Sequence, residues 1–494
     1  MNLAMIRYIL GYVLELESVL IAICGGIGLV YGEKQAAAYF IVAAAELAAG
    51  LLVKWKKPQD DVFYLKEGCI MTGLGWVLMS LIGCLPFVIS KEIPGFVDAL
   101  FETASGLTTT GASVLSDVES LAHCTLFWRS LTHWIGGMGI LVFLLAVIPL
   151  AGGSNINVMR AESPGPSVDK IVPKMKQSAS ILYALYIALM LIEFIMLLCG
   201  GMDWFESLTL SFGTAGTGGF GVRNDSIGGY SNYIQWVIGV FMVLFGVNFN
   251  FYYYLVLRKW SKAFETKEVF YYIGIVAVSV LLIFFDIRRV YPVWDALRHS
   301  FFQVGAVITT TGYSTADFDL WSSATKWIKV TLMFIGACAG STGGGIKVAR
   351  IVIMFKSMLR AFRSYLHPHG VSKIHFEGKT VDNSVIHSVL VYVATFTFIF
   401  FVSVALVAIE GRDFTTNFTA VAATLNNIGP GLSQVGPTCN YGGFTALSKI
   451  VMIFDMLAGR LELFPILLLF YPAMWKEAVE QERARHSRQA RVQE

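Results

Sequence analysis

Four short segments carry the residue types most suited to chemistry: Thr108-Thr109-Thr110-Gly111, Ala215-Gly216-Thr217-Gly218, Thr309-Thr310-Thr311-Gly312 and Asn426-Asn427-Ile428-Gly429. Each follows a short apolar stretch and precedes a long one. Glycine lets successive peptide carbonyls turn to one side, and threonine adds a hydroxyl oxygen. Oxygens gathered from four equivalent backbone segments can replace the hydration shell of an alkali cation without a fixed charge that would bind it too tightly. No segment contains a carboxylate, so the pattern favours potassium over divalent ions and implies ion conduction.

The composition sets the environment in which such segments must be held. Hydrophobic residues make up 55% of the 494 and charged residues 14%, too little charge for a soluble chain of this size. The net charge of +3 gives no nucleic-acid surface, and no nucleic-acid partner is expected. The seven cysteines show no CxxC spacing, which argues against a zinc site or a disulfide framework. Glu15 and Glu17 interrupt the first apolar run and no small-residue cleavage site follows it, so it reads as a retained helix.

Ten segments are long and apolar enough to cross a bilayer. They lie near residues 9–31, 36–54, 68–89, 127–150, 179–201, 231–256, 269–286, 325–356, 385–410 and 445–475. The last eight form four pairs, and each pair encloses one of the Gly/Thr segments. Asp98, Asp203, Asp295 and Asp413 open the enclosed stretches, where aspartate accepts hydrogen bonds from the free N–H groups of a helix start. A half-crossing helix followed by an extended return is the expected shape, allowed at membrane depth only where backbone is buried or lines a cavity. Ala99 to Gly111, Ser300 to Gly312 and Asn417 to Gly429 share one spacing. In the second segment Gly218 and Gly219 compete for the terminal place, and Gly218 keeps that spacing from Glu206. The expected fold is an all-α integral membrane protein with four pseudo-repeats of helix, pore helix, filter and helix around one pore, plus two N-terminal transmembrane helices. The boundaries are 1–62 for that addition, then 63–160, 161–262, 263–372 with a broken second helix, and 373–494 including a C-terminal cytoplasmic tail.

Basic residues follow every even-numbered span, from Lys54, Lys56 and Lys57 to Lys476, Arg483 and Arg485, which places both termini in the cytoplasm of a multi-pass cell-membrane protein. Arg288, Arg289 and Arg298 fall on the outer side, where solvation at the pore mouth is the expected explanation.

TTTGAS at Thr108–Ser113, TGGFG at Thr217–Gly221, TTTGYS at Thr309–Ser314 and NNIGPGL at Asn426–Leu432, with His133-Trp134-Ile135-Gly136-Gly137-Met138-Gly139, together resemble the Trk/Ktr/HKT superfamily of potassium transporters. The two extra leading spans are similar to its TrkH branch. The resemblance covers essentially the whole chain. It implies that Thr109, Thr110, Gly111, Gly216, Thr217, Gly218, Thr310, Thr311, Gly312, Asn427, Ile428 and Gly429 line the filter, with Asn-Ile in the fourth segment breaking perfect fourfold symmetry. The run Gly336 to Gly345 cannot remain a regular helix. With Arg460 deep in the last span, the resemblance makes this loop a gate, its glycines Gly340, Gly343, Gly344 and Gly345 lying below the filter. It also implies a homodimer, and a cytoplasmic TrkA-like nucleotide-binding ring as partner; K+ is the permeant ion and the chain itself needs no cofactor.

Competing readings attach to several of these residues. Gly/Thr-rich stretches also serve as close helix contacts. Gly216 to Gly221 fits GxGxxG without βαβ context, and Lys347 breaks the ending a phosphate loop needs. His133 reads as a packed helix-end residue, with a proton relay as the other option, and Glu193 as a coupling carboxylate or an interior hydrogen-bonding group. The alternative function is a symporter coupling potassium to H+ or Na+ by alternating access. No nucleophile, base and oxyanion set emerges, so an enzyme is not expected.

Overall fold

The computed structural model describes residues 2–58, 65–139, 175–368 and 373–476 and is built almost wholly of helices. The end of the expected 127–150 span and the tail after 476 lie outside the described residues. Helices α1 (Leu3–Val30) and α2 (Ala36–Lys54) form the leading hairpin. They cross closely because glycines stand at the contact: a Cβ on Gly11 would lie 3.0 Å from the Gly50 carbonyl, and one on Gly28 would lie 2.9 Å from the Ala36 side chain. Val19, Ile23, Leu51 and Leu52 turn outward and remain exposed, as side chains facing lipid do.

Helices α3 (Leu65–Gly83) and α4 (Leu85–Ser90) lead into the short α5 (Phe96–Leu107), and α6 (His123–Met138) follows. The same order recurs three times. Helix α7 (Met175–Cys199) precedes the short α8 (Trp204–Ala215), which is followed by α9 (Asn232–Phe245), α10 (Phe249–Val256) and α11 (Trp260–Glu265). Helix α12 (Lys267–Ile287) precedes the short α13 (Val293–Ile308), followed by α14 (Ser323–Ile335) and α15 (Val348–Leu366). After a two-stranded hairpin of β1 (His375–Phe376) and β2 (Lys379–Thr380), α16 (Asn383–Ala408) precedes the short α17 (Phe414–Leu425), then α18 (Ala446–Arg460) and α19 (Phe464–Leu469). The 12 residues of α5, α8 and α17 span only about 18 Å at 1.5 Å each, far short of a bilayer core.

Six helical stretches among the described residues are long and apolar enough to cross a membrane unbroken: Leu3–Val30, Ala36–Lys54, Lys66–Ser90, Ser180–Cys199, Lys267–Ile287 and Asn383–Ala408. The helices after the Gly/Thr segments are different. The expected single span 231–256 is bent by 92° between α9 and α10. Gly246 ends one helix there and the Asn248 side chain caps the next at 2.9 Å from Asn250 N. The expected span 325–356 is broken between Ile335 and Val348, as the glycine run predicts. The expected span 445–475 breaks after Arg460, where Glu462 and Leu463 take φ of 60° and 64° ahead of Pro465.

Only two of the four opening aspartates cap their helices. Asp203 accepts from Phe205 N at 2.9 Å and Asp413 from Thr416 N at 3.0 Å. Helices α5 and α13 start earlier, so Asp98 and Asp295 sit in their first turns and pair with Lys449 at 2.5 Å and Arg298 at 2.7 Å. Arg298 is therefore buried and ion-paired rather than solvated, and Arg288 lies over the Phe285 ring.

Candidate ion pathway and glycine loop

The four short helices end at Leu107, Ala215, Ile308 and Leu425. Two residues on, the backbone turns left-handed in every segment, at Thr109 (φ 54°), Thr217 (54°), Thr310 (59°) and Asn427 (56°). It does so again two residues later, at Gly111 (76°), Gly219 (81°), Gly312 (82°) and Gly429 (95°). Asparagine tolerates the first conformation better than most residues, so Asn427 substitutes for threonine there without breaking the pattern.

These angles correct the alignment of the second segment. The terminal glycine is Gly219, and Gly216, Thr217 and Gly218 each stand one place earlier than the spacing from Glu206 suggests. The two additional glycines have a steric reason: a Cβ on Gly216 would collide with the His133 carbonyl and one on Gly218 with the His133 ring, so α6 occupies the room that Thr108 and Thr110, Thr309 and Thr311, and Asn426 and Ile428 fill in the other segments. His133 is fully buried and its Nε2 accepts from Phe220 N at 3.2 Å. It packs as a buttress to the second segment.

The segments close into a ring. A Cβ on Gly111 would strike the Gly218 carbonyl, one on Gly219 the Thr311 carbonyl, and one on Gly312 the Ile428 carbonyl; one on Gly429 would lie 2.7 Å from the Thr110 carbonyl. Each terminal glycine thus abuts the middle carbonyl of the next segment, in the order first, second, third, fourth, first. All four glycines line one cavity of about 150 Å³ that also touches Ser113, Arg129, Ser314 and Tyr441. The short helices aim their negative C-terminal ends at this ring.

At the first left-handed position the side chains add oxygen. Thr109 Oγ1 and Asn427 Oδ1 are buried without a protein partner, Thr217 Oγ1 donates to its neighbour Gly216 O at 2.6 Å, and Thr310 Oγ1 accepts from Gly344 N at 2.6 Å. Asn427 Nδ2 donates to Thr110 Oγ1 at 3.0 Å and to Met456 O at 2.9 Å, tying the fourth segment to the first and to α18.

The contact from Gly344 brings in the loop between α14 and α15. Gly343 and Gly344 lie against the third and fourth segments: their Cβ positions would be 2.9 Å from Thr309 O and 2.6 Å from Asn426 O. Gly340 and Gly345 do not. Gly340 O accepts from Phe249 N at the bend of the second repeat, and Gly345 packs on Gly336. Arg460 Nη1 donates to Thr342 O at 2.8 Å, and Nη2 donates to Gly136 O and, at 2.7 Å, to Gly137 O, so one guanidinium joins the loop to the end of α6. Three further participants escape a reading of motifs. Lys347 is buried, left-handed at φ 77°, and bonded through Nζ to Gly343 O. Glu268 Oε1 accepts from Ala339 N at 2.8 Å and Ala349 N at 2.9 Å, clasping both ends of the loop. Glu462 pairs with Arg350, linking α15 to the break in the last span. A lone acid at the start of an apolar helix, and an acid beside Arg460, were the available signals. Glu193 lies wholly buried beside the Thr214 hydroxyl, with neither carboxylate oxygen in hydrogen-bond geometry.

Outside the spans, carboxylates are held ionised at the rim. The Asn224 amide, bonded at 2.8 Å, keeps Asp117 below its ordinary range, and the Thr416 hydroxyl does the same for Asp413.

A ring of backbone oxygens enclosed by half-crossing and broken helices defines a membrane transport protein rather than an enzyme, and the comparisons agree. The TrkH model, described as cation transport protein, matches residues 33–291 and 286–481, and the chain belongs to that family. The chain is 33% identical over 488 residues to the Trk system potassium uptake protein TrkH of Escherichia coli (strain K12), covering 97% of this chain and 100% of that one. It is 31% identical to TrkG of the same organism over 457 residues, 91% of this chain and 94% of that one. The crystal structure of the potassium transporter TrkH from Vibrio parahaemolyticus superposes with a TM-score of 0.86 at 29% identity, covering 96% of this chain and all of that one.

Proposed function

We propose that the chain is the pore-forming subunit of a potassium uptake system. The reading rests on the closed ring of glycine-to-carbonyl approaches among four equivalent segments, and its relatives bear the name of potassium uptake proteins. In it, K+ sheds water in the outer cavity and is held by main-chain oxygens of Thr109, Thr110, Gly111, Thr217, Gly218, Gly219, Thr310, Thr311, Gly312, Asn427, Ile428 and Gly429, with Gly216 at the helix end beneath them. Thr109 Oγ1 and Asn427 Oδ1, unpartnered within the protein, serve as further ligands on the inner side.

The glycine loop and Arg460 form the gate. Gly343 and Gly344 obstruct the path directly, while Gly340 and Gly345 act as its hinges. The basic inner loops, the cytoplasmic termini, the homodimer and a cytoplasmic TrkA-like nucleotide-binding ring complete the proposal, the ring supplying the control that opens the loop. The five-part division of the chain sketched from sequence follows the same plan.

Reversal potentials of the purified protein in planar bilayers test the reading. Under opposed K+ and Na+ gradients the potential should sit near the K+ equilibrium value. A potential indifferent to K+ overturns it, and flux that requires H+ or Na+ as obligatory co-ion replaces the pore with the symporter.

A further inference from the structure

The first and third segments are held from behind by one arrangement of side chains that the second and fourth lack. In the first repeat, Glu102, nine residues before Gly111, accepts from Ser113 Oγ at 3.0 and 3.1 Å and from Val114 N at 2.9 Å. Arg129, the seventh residue after the N-cap of α6, donates to the same carboxylate from Nε at 2.9 Å. In the third repeat, Gln303, nine residues before Gly312, donates to Ser314 Oγ at 3.2 Å. Lys329, the seventh residue after the N-cap of α14, donates to Gln303 Oε1 at 2.9 Å, its ammonium over the Phe318 ring. All four brace side chains are at least 98% buried. The corresponding sets in the other repeats are Leu210, Gly221 and Ile238, and Ala420, Gly431 and Met452, which offer no polar side chain.

The unbraced segments lean on the braced ones. Arg129 Nη1 donates to Gly221 O at 3.4 Å and its guanidinium lies over Phe220. Tyr313, between Gly312 and Ser314, donates to Phe220 O and Leu210 O at 3.3 Å. On the other side Tyr441 N donates to Ser113 O at 2.8 Å, and Tyr441 Oη donates to Gly429 O at 2.7 Å. Ion selection needs its oxygens held to within a fraction of an ångström by a supporting shell, and buried hydrogen-bonded ties of this kind are what rigidify a site.

We propose that Glu102 with Arg129 and Gln303 with Lys329 are positioning residues that fix the spacing of the ion ligands through Ser113 and Ser314, so that the ring is supported at two opposite segments. The proposal rests on the pore reading above. The experiment is the K+/Na+ permeability ratio of reconstituted protein, read from reversal potentials, with the thermal midpoint in detergent measured alongside. Exchanging the chemistry of the two braces, by Glu102→Gln with Arg129→Lys or by Gln303→Glu, should keep the ratio within about two-fold of the parent. Removing a brace, by Glu102→Leu with Arg129→Met or by Gln303→Leu with Lys329→Met, should lower it by about ten-fold or more, since the shell no longer fixes the ligands. Ile238→Val with Met452→Leu, at the matching places of the other repeats, should leave it unchanged. If the brace deletions do not fold, Ser113→Ala and Ser314→Ala remove the hydroxyl that joins each brace to its segment, together with its local bonds to Leu115 N and Ala316 O but not the Glu102 bond to Val114 N, and should lower the ratio more than they move the midpoint. Folded deletions or serine variants that retain the parent ratio overturn the inference. A parent without K+ preference overturns the pore reading instead.

Discussion

Individual residues carry the geometry of the ring, and the second segment shows how. Gly218 and Gly219 look interchangeable in sequence but answer different constraints. Gly219 needs its left-handed φ of 81° and abuts Thr311, whereas Gly218 avoids the His133 ring. Gly219→Ala should therefore abolish K+-selective current whatever stands at 133. Gly218→Ala should impair it, and His133→Ala in the same chain should restore at least part of the loss, because the ring that the new methyl meets has gone. Bilayer recordings of the single and double variants check this, and equal rescue at 218 and 219 would contradict the revised alignment. Asp117 and Asp413 supply a pH dependence. Their folded carboxyls titrate below the ordinary value, so the stability they add is fully present above about pH 4, the unfolded value, and is lost as pH falls through the folded one. The thermal midpoint in detergent should drop on acidification from pH 6 towards 3, and less so in Asp413→Asn.

In the proposed gate, elements decide whether the path is open. The loop from Gly336 to Lys347 is held by Arg460 from one side and Glu268 from the other. A hydrogen bond to a charged group contributes about 1.5–3 kcal/mol, and 1.4 kcal/mol is about ten-fold in an equilibrium. Arg460→Ala should raise K+ flux into liposomes by about ten-fold or more and weaken its control; unchanged flux and regulation would remove Arg460 from the gate. Glu268→Ala frees Ala339 N and Ala349 N and should raise flux too, while Glu268→Gln keeps an acceptor and should act less. Breaks at Gly246–Asn248 and after Arg460 were written in ordinary Gly, Asn and Pro signals. They pass unnoticed when hydropathy is summed over a window, because the window counts apolar residues on both sides of a bend alike. The same limit applies to Asp98 and Asp295: an acid near a helix start looks like a cap until a cation, Lys449 or Arg298, is found beside it.

At the scale of the molecule, four repeats of one plan surround a single ring, but the ring is not fourfold in its support. The sequence by itself determined the helical membrane class, the four Gly/Thr segments and the broken eighth span, because composition and a run of glycines act locally whatever packs against them. It also held the identities of the brace residues, Glu102, Arg129, Gln303 and Lys329, without any sign that they belonged together. Only the tertiary structure decided that Gly219 closes the second segment, that Gly343 and Gly344 rather than Gly340 reach the ring, and that Glu268 and Lys347 hold the loop. Each of these depends on which atoms meet across elements far apart in the chain, and a steric collision or a buried hydrogen bond between such elements leaves no periodic trace in the residues that make it.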